Sequence, residues 1–135
     1  MPHTIEKPEA QWREELDPEE FRIARLKGPE RPFAGNYWNT WEKGAYHCRC
    51  CGAELFHSDA KFDAGCGHPC FHSVATAGNV EQIEDFSHAS YRVEAACAHC
   101  GAHLGFVFDD GPLPNGLRYR INSASIRLIP EKKAG

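Results

Sequence analysis

Seven cysteines and eight histidines in 135 residues are the side chains with the most chemistry to offer, and their spacing sorts them into groups. Cys48 to Leu55 (CRCCGAEL) and Cys97 to Leu104 (CAHCGAHL) share the frame Cys-x-x-Cys-Gly-Ala-x-Leu. Each copy sets two thiolates two residues apart across a tight turn, and the glycine that follows can take the positive φ such a turn demands. Four soft sulfur ligands, Cys48, Cys51, Cys97 and Cys100, suit a tetrahedral Zn²⁺ that is structural, with no coordination position left for substrate. A rubredoxin-like iron centre is the rival occupant. A thioredoxin-like role for either pair is weaker, because no βαβ pattern surrounds it. Cys50 could replace Cys51, but the repeat frame selects Cys51 and leaves Cys50 a spectator.

A second group is Cys66, His68, Cys70 and His72, four soft or titratable side chains at every second position of CGHPCFH. On an extended segment they would share one side, and Pro69 biases His68 toward extended backbone. Residues two apart on a straight strand are ~6.6 Å apart, so four of them cannot close round one ion without a bend. The expectation is a two- or three-ligand open metal site or a reversibly oxidised cysteine pair. Arg118, Arg120 and Asn122 form a third group, alternating with Leu117, Tyr119 and Ile121, so two arginines and an asparagine share one face of a strand.

The elements that must carry these groups divide the chain into a helical arm over 1–30, a β body over 31–130 and a tail over 131–135, within a single domain. Asp17 reads as a helix N-cap, with Pro18 at the first position and Glu20 three residues after the cap. Phe21, Ile23 and Ala24 give an apolar face, and Gly28-Pro29 a stop. Pro8 to Leu16 predicts an earlier short helix. Ser90 to Cys97 alternates as a half-buried strand, with Tyr91, Val93 and Ala95 opposite Arg92 and Glu94. His103 to Phe108 is a second strand, closed by the turn signal at Asp109 to Pro112. The whole reads as mainly β.

Composition narrows the functions. A net charge of −4 leaves no basic excess for nucleic acid. No apolar run approaches the ~18 residues of a membrane span, and no apolar stretch of signal-peptide type opens the chain, so the reading is cytoplasmic with no membrane partner. An odd cysteine count at about 5% of the chain favours ligands or redox groups over a secreted disulfide framework.

From Pro18 to Pro130 the chain resembles the B-type methionine-R-sulfoxide reductases. The marks are Gly44 to Cys48, Lys61 to Gly67, Ala102 to Gly105, Val107 to Pro112, and Gly116 to Tyr119 followed by Ile121 to Ser125. The resemblance implies two facing antiparallel sheets, a four-cysteine zinc site at the knuckles and an active face on the strand of Arg118, to which the residues themselves add the short N-terminal helical arm. It also implies thiol chemistry, in which a cysteine attacks the sulfoxide and a second cysteine forms a disulfide that a thioredoxin-like reductant opens. Three positions depart from the family's motif: Arg120 stands at the nucleophile, Phe106 at a proton-donating histidine, and His68 at an aromatic wall. Cys66, at the position of the recycling cysteine in many members, Arg118, Asn122 and His103 remain as catalytic candidates. His68, Cys70, His72 and Phe106 are candidates to line the pocket.

The expectation drawn from these departures is a zinc-containing family member whose reductase activity is absent or very low, its altered pocket binding oxidised methionine or another small ligand. A second reading is a working methionine-R-sulfoxide reductase or thiol oxidoreductase that uses Cys66 or Cys70 as nucleophile. Arg120, His68 or His72 would activate it. A third is a non-catalytic zinc-ribbon interaction module, or its iron-bearing variant.

Overall fold

The computed structural model describes residues 4–86 and 91–131. Ser90, the expected start of a strand, and residues 132–135 of the expected tail lie outside the described residues. In the arm, α1 (Glu9–Glu15) and α2 (Pro18–Ala24) form where expected. The Asp17 carboxylate accepts from the Glu20 amide at 2.7 Å while the Glu20 carboxylate accepts from the Asp17 amide at 3.1 Å, a reciprocal capping box. Trp12, Leu16, Phe21 and Ala24 from these helices are buried in the same apolar core as the strands.

The β body is two antiparallel sheets. In the smaller, β1 (Gly44–Cys48) lies between β2 (Glu54–His57) and β9 (Ile126–Pro130). The larger runs in spatial order β3 (Lys61–Phe62), β4 (Cys70–Phe71), β8 (Arg118–Ile121), β7 (His103–Phe108), β6 (Arg92–Cys97), β5 (Val80–Asp85). Aromatic rings from both sheets fill the space between them. Phe56 of β2 stacks on Phe71 of β4 at 4.5 Å, Tyr46 of β1 meets Phe71 edge-on at 5.1 Å, and Phe56 lies 5.6 Å from Tyr119 of β8. Such ring pairs contribute about 0.5–1.5 kcal/mol beyond their burial, so the sheets are held face to face by specific contacts.

On β8 the expected alternation holds: Tyr119 and Ile121 are buried, and Arg118 and Arg120 are half-buried on the other face. On β6 it fails beyond Val93, because Glu94 is buried as well as Ala95. Tyr91, assigned to the core side, is exposed and outside the strand. β7 covers one flank of β6, and Glu94 is tied up there by polar partners.

A row of direct cross-strand partners crosses the larger sheet. Cys70 pairs with Arg120, Arg120 with Phe106, and Phe106 with Glu94, so these four side chains share one face. Between Ala95 and Ala96 the register of β6 on β7 slips, so that Ala96 partners His103 and Leu104 is the extra residue of a bulge. Without the bulge His103 would point into the core. With it, His103 joins Glu94 on the face that carries Arg120.

Candidate functional site

The metal centre sits where the two sheets meet. Cys48 ends β1 and Cys97 ends β6, and Cys51 and Cys100 follow in their turns. The two knuckles repeat the same hydrogen bonds. Gly52 N–H donates to the Cys48 carbonyl at 2.9 Å and Cys48 N–H to the Ala53 carbonyl at 2.8 Å. Gly101 N–H donates to the Cys97 carbonyl at 2.8 Å and Cys97 N–H to the Ala102 carbonyl at 2.9 Å. Gly52 and Gly101 have φ of 84° and 78°, values that a side chain at either position would disfavour. The four ligand sulfurs lie within 4.8 Å of one another, with Cys48–Cys100 and Cys51–Cys97 at 3.6 Å. A tetrahedral ion with Zn–S near ~2.3 Å holds its sulfurs about 3.8 Å apart, so four thiolates in this arrangement fit zinc, and the site is a structural one. Cys50 stays outside the set. Arg25 reaches across from the arm, its Nη1 donating to the Cys100 carbonyl at 3.1 Å and lying 3.7 Å from the Cys100 sulfur.

On the opposite face of the larger sheet lies a cleft of 480 Å³, lined among others by His68, Arg92, His103, Phe106, Arg120 and Asn122. Arg120 and Phe106 of the cross-strand row line it, with His103 beside them. The His103 Nδ1–H donates to the Glu94 carboxylate at 2.7 Å, and Lys27 Nζ donates to the other carboxylate oxygen at 3.0 Å. Burial pushes the Glu94 carboxyl upward, but these bonds outweigh it and hold the group below the usual carboxylate range. Because Nδ1 is committed to Glu94, the tautomer is fixed and Nε2 is the nitrogen free to exchange a proton.

The arginines differ. Arg118 is occupied: its Nε and Nη2 grip Asp110 at 2.8 and 3.1 Å, which raises its already high pKa. Arg120 has no hydrogen-bond acceptor among the described residues. Burial lowers its pKa, the Cys66 sulfur being its largest favourable charge partner.

Of the two expectations for the 66–72 segment, an open two- or three-ligand metal site is not among the metal-binding groups of the described residues. Only Cys70 and Phe71 of that segment are strand, and Gly65 and Gly67, with φ of 71° and 79°, bend the rest. His68 turns away to donate from Nε2 to the Glu30 carbonyl at 2.9 Å, and His72 lies over the Phe62 ring. The bend brings the Cys66 and Cys70 sulfurs to 3.4 Å. Cys66 is partly exposed and Cys70 fully buried. Burial, then the hydrogen bond with Cys66, pushes the Cys70 thiol up to about 12 against the opposing effect of Arg118.

A strap after α2 completes the site. Phe33 N–H donates to the Gly67 carbonyl at 2.8 Å, and the Glu30 carboxylate accepts from the Ser123 and Ala124 amides at 2.8 and 2.9 Å. The sequence reading missed Glu94, Lys27 and Arg92. Glu94 and Arg92 carried a signal in their alternation with Val93, which was read only as the pattern of a half-buried strand. Lys27, one residue before the predicted helix stop, carried none.

Comparison with known proteins agrees with this architecture. The SelR domain matches residues 16–130. The peptide methionine sulfoxide reductase MsrB of Acinetobacter baylyi is 53% identical over 129 residues, covering 96% of this chain and 93% of the relative. That of Cellvibrio japonicus is 57% identical over 124 residues, covering 92% and 89%. With a domain match over most of its length and relatives this similar from end to end, the chain belongs to the SelR-domain family, with the peptide methionine sulfoxide reductases MsrB among its relatives.

Proposed function

We propose that the protein is a working methionine-R-sulfoxide reductase that uses the Cys66–Cys70 pair as its redox dithiol. This corrects the expectation of absent or very low activity. Identity of 53–57% to proteins named as reductases, over nearly their whole length, and an intact four-cysteine cluster favour an active, zinc-stabilised enzyme. The observation that carries the reading is the 3.4 Å approach of the two sulfurs beside an unpaired guanidinium. Arg120, standing where the family motif carries its nucleophile, is then the cationic neighbour of Cys66.

Cys66 is the attacking group, because it is the more exposed and Cys70 stays a thiol at neutral pH. Its thiolate attacks the sulfoxide sulfur while the oxygen takes a proton from Nε2–H of the doubly protonated His103 ring, whose charge the Glu94 carboxylate balances. The sulfide leaves, the oxygen ends on Cys66 as a sulfenic acid, and the substrate sulfur has gained two electrons. Cys70 then condenses with the sulfenic acid, releasing water and closing a disulfide that needs the sulfurs to move from 3.4 Å to about 2.05 Å. A thioredoxin-like dithiol reopens it. Glu94 and Lys27 hold His103 in place, Phe106 supplies the apolar wall for the methyl group, and Asn122 and His68 border the cleft. Arg118, clamped by Asp110, keeps Cys70 in position. His72 has no part.

No described helix is long and apolar enough to cross a membrane. A thiol cycle of this kind fits a reducing compartment, and we place the protein in the cytoplasm, without nucleic-acid partners, as one domain in which the 1–30 arm shares the core of the 31–130 body. The test is turnover of an R-sulfoxide peptide with a thiol reductant. Wild type turns over, Cys66→Ser does not, and Cys70→Ser, without the thiol reductant, forms one equivalent of reduced peptide and stalls as a trappable sulfenic acid. Full activity in Cys66→Ser would remove the reading.

A further inference from the structure

The cleft does not end at Phe106. A second cavity, of 430 Å³, opens beside it toward β5 at the sheet edge, and the two share Lys27, Arg92, His103 and Phe106 in their walls. The strand register accounts for the continuity. Phe106 pairs with Glu94 and Glu94 with Ile83, so the cross-strand row that holds Arg120 runs on to β5 and sets Ile83 on the face of the reacting groups.

The charges along this extension are already matched. Glu94, buried between Phe106 and Ile83, serves His103 and Lys27, while Arg92 lies 3.9 Å from Asp85 and the Tyr91 hydroxyl donates to Glu84 at 3.4 Å. What stays open is hydrocarbon. Ile83 is 41% exposed and Phe86, just past the end of β5, 70%, and both line the second cavity. Apolar side chains grouped at the end of a reactive cleft, among charges that are paired with one another, suit an apolar ligand group rather than an ion.

Neighbouring strands lie ~4.8 Å apart, so Ile83, two strands from Phe106, is ~10 Å away across the face. An extended chain repeats its side-chain direction every ~6.6 Å in β conformation and every ~9.3 Å in polyproline II. A substrate chain whose oxidised methionine sits at Phe106 therefore brings the side chain two or three residues away over Ile83. We infer that the extension is a subsite for the substrate chain, taking an apolar side chain such as leucine two or three residues from the methionine sulfoxide. Ile83 and Phe86 set that preference, and the favoured substrate class is an extended, apolar segment of protein chain.

The inference rests on the reductase reading, and the two separate in one set of measurements. Steady-state kinetics compare a capped peptide with serine around methionine-R-sulfoxide against the same peptide carrying leucine two or three residues before or after it. The expected result is kcat/KM on the order of 10-fold higher for leucine on one side of the sulfoxide, gained through KM. Ile83→Ser or Phe86→Ser lowers that ratio, the pair together abolishes it, and Ile83→Leu keeps it. Equal values for leucine and serine peptides, or a ratio untouched by these variants, overturn the inference while leaving the reductase standing. An effect confined to the KM of the thioredoxin-like reductant also overturns it, and gives this face to that partner. Fluorescence polarisation with labelled, unoxidised peptides of the same sequences needs no turnover. Leucine-dependent binding that Ile83→Ser weakens, in a protein that reduces nothing, would keep the subsite and remove the reductase.

Discussion

Cys66 and Cys70 differ in what surrounds them more than in where they stand. Cys70 is enclosed by Phe71, Pro69 and the β8 backbone, and its thiol is pushed up to about 12. A cysteine with a raised pKa is neutral below that value, so in the reduced pair at pH 7 Cys70 resists alkylation and leaves the attack on substrate to Cys66. Labelling with an alkylating reagent at pH 7 should mark Cys66 first, and Cys70 only as the pH climbs well above 9, as followed by peptide mass mapping. In Arg118→Gln, the thiolate of Cys70 loses a stabilising charge and its labelling should retreat to still higher pH. Equal labelling of both cysteines at pH 7 would contradict the division of labour between them.

The elements deliver these residues by means that sequence shows unevenly. The helix cap at Asp17, the knuckle repeat and the Arg118–Arg120 face were all legible, because each depends on near neighbours in the chain. The placement of His103 was not. Simple alternation sets it opposite Phe106, and only the bulge at Leu104, a property of the pairing with β6, turns it to the same side. Likewise the 66–72 segment alternates in composition but not in space, since two glycines bend it. β5 went unread because half of Val80–Asp85 is charged and it has no regular apolar alternation, its strand conformation coming from the ladder it makes with β6.

The junction of β7 and β8 offers a test at this scale. A Cβ on Gly105 would lie 2.0 Å from the Arg120 carbonyl oxygen, backbone against backbone. Gly105→Ala should force the strands apart and cost about 1–3 kcal/mol, as overpacking does. It should lower the melting temperature by several degrees and, because Arg120 moves with its carbonyl, reduce turnover more than stability alone would explain. An unchanged melting temperature would mean that the pairing tolerates the methyl group.

At the scale of the whole molecule the zinc site fastens the smaller sheet to the larger by coordination bonds. Cys48 and Cys51 come from the β1–β2 hairpin, and Cys97 and Cys100 from the β6–β7 hairpin. Structural zinc sites can contribute ~10 kcal/mol or more, comparable with the ~5–15 kcal/mol of an entire domain. Metal analysis should find one zinc per chain. Cys97→Ser or exhaustive chelation should abolish the cooperative melt seen by circular dichroism. A chelated protein that melts at the same temperature would show the sheets hold without it.

The strap over the dithiol loop also bears on how the protein comes into being. Glu30 is made early in synthesis, yet its carboxylate waits for the amides of Ser123 and Ala124, 93 and 94 residues later. Cys66 and Cys70 likewise precede Arg118 and Arg120 by some fifty positions. Contacts this distant along the chain form late, because their loop entropy is lost before they return any stability. A nascent chain can therefore close its first knuckle while the cleft is still open and its two cysteines lack their cationic neighbours. The redox centre is finished only when the last strands are made, so an incomplete chain lacks the assembled dithiol site.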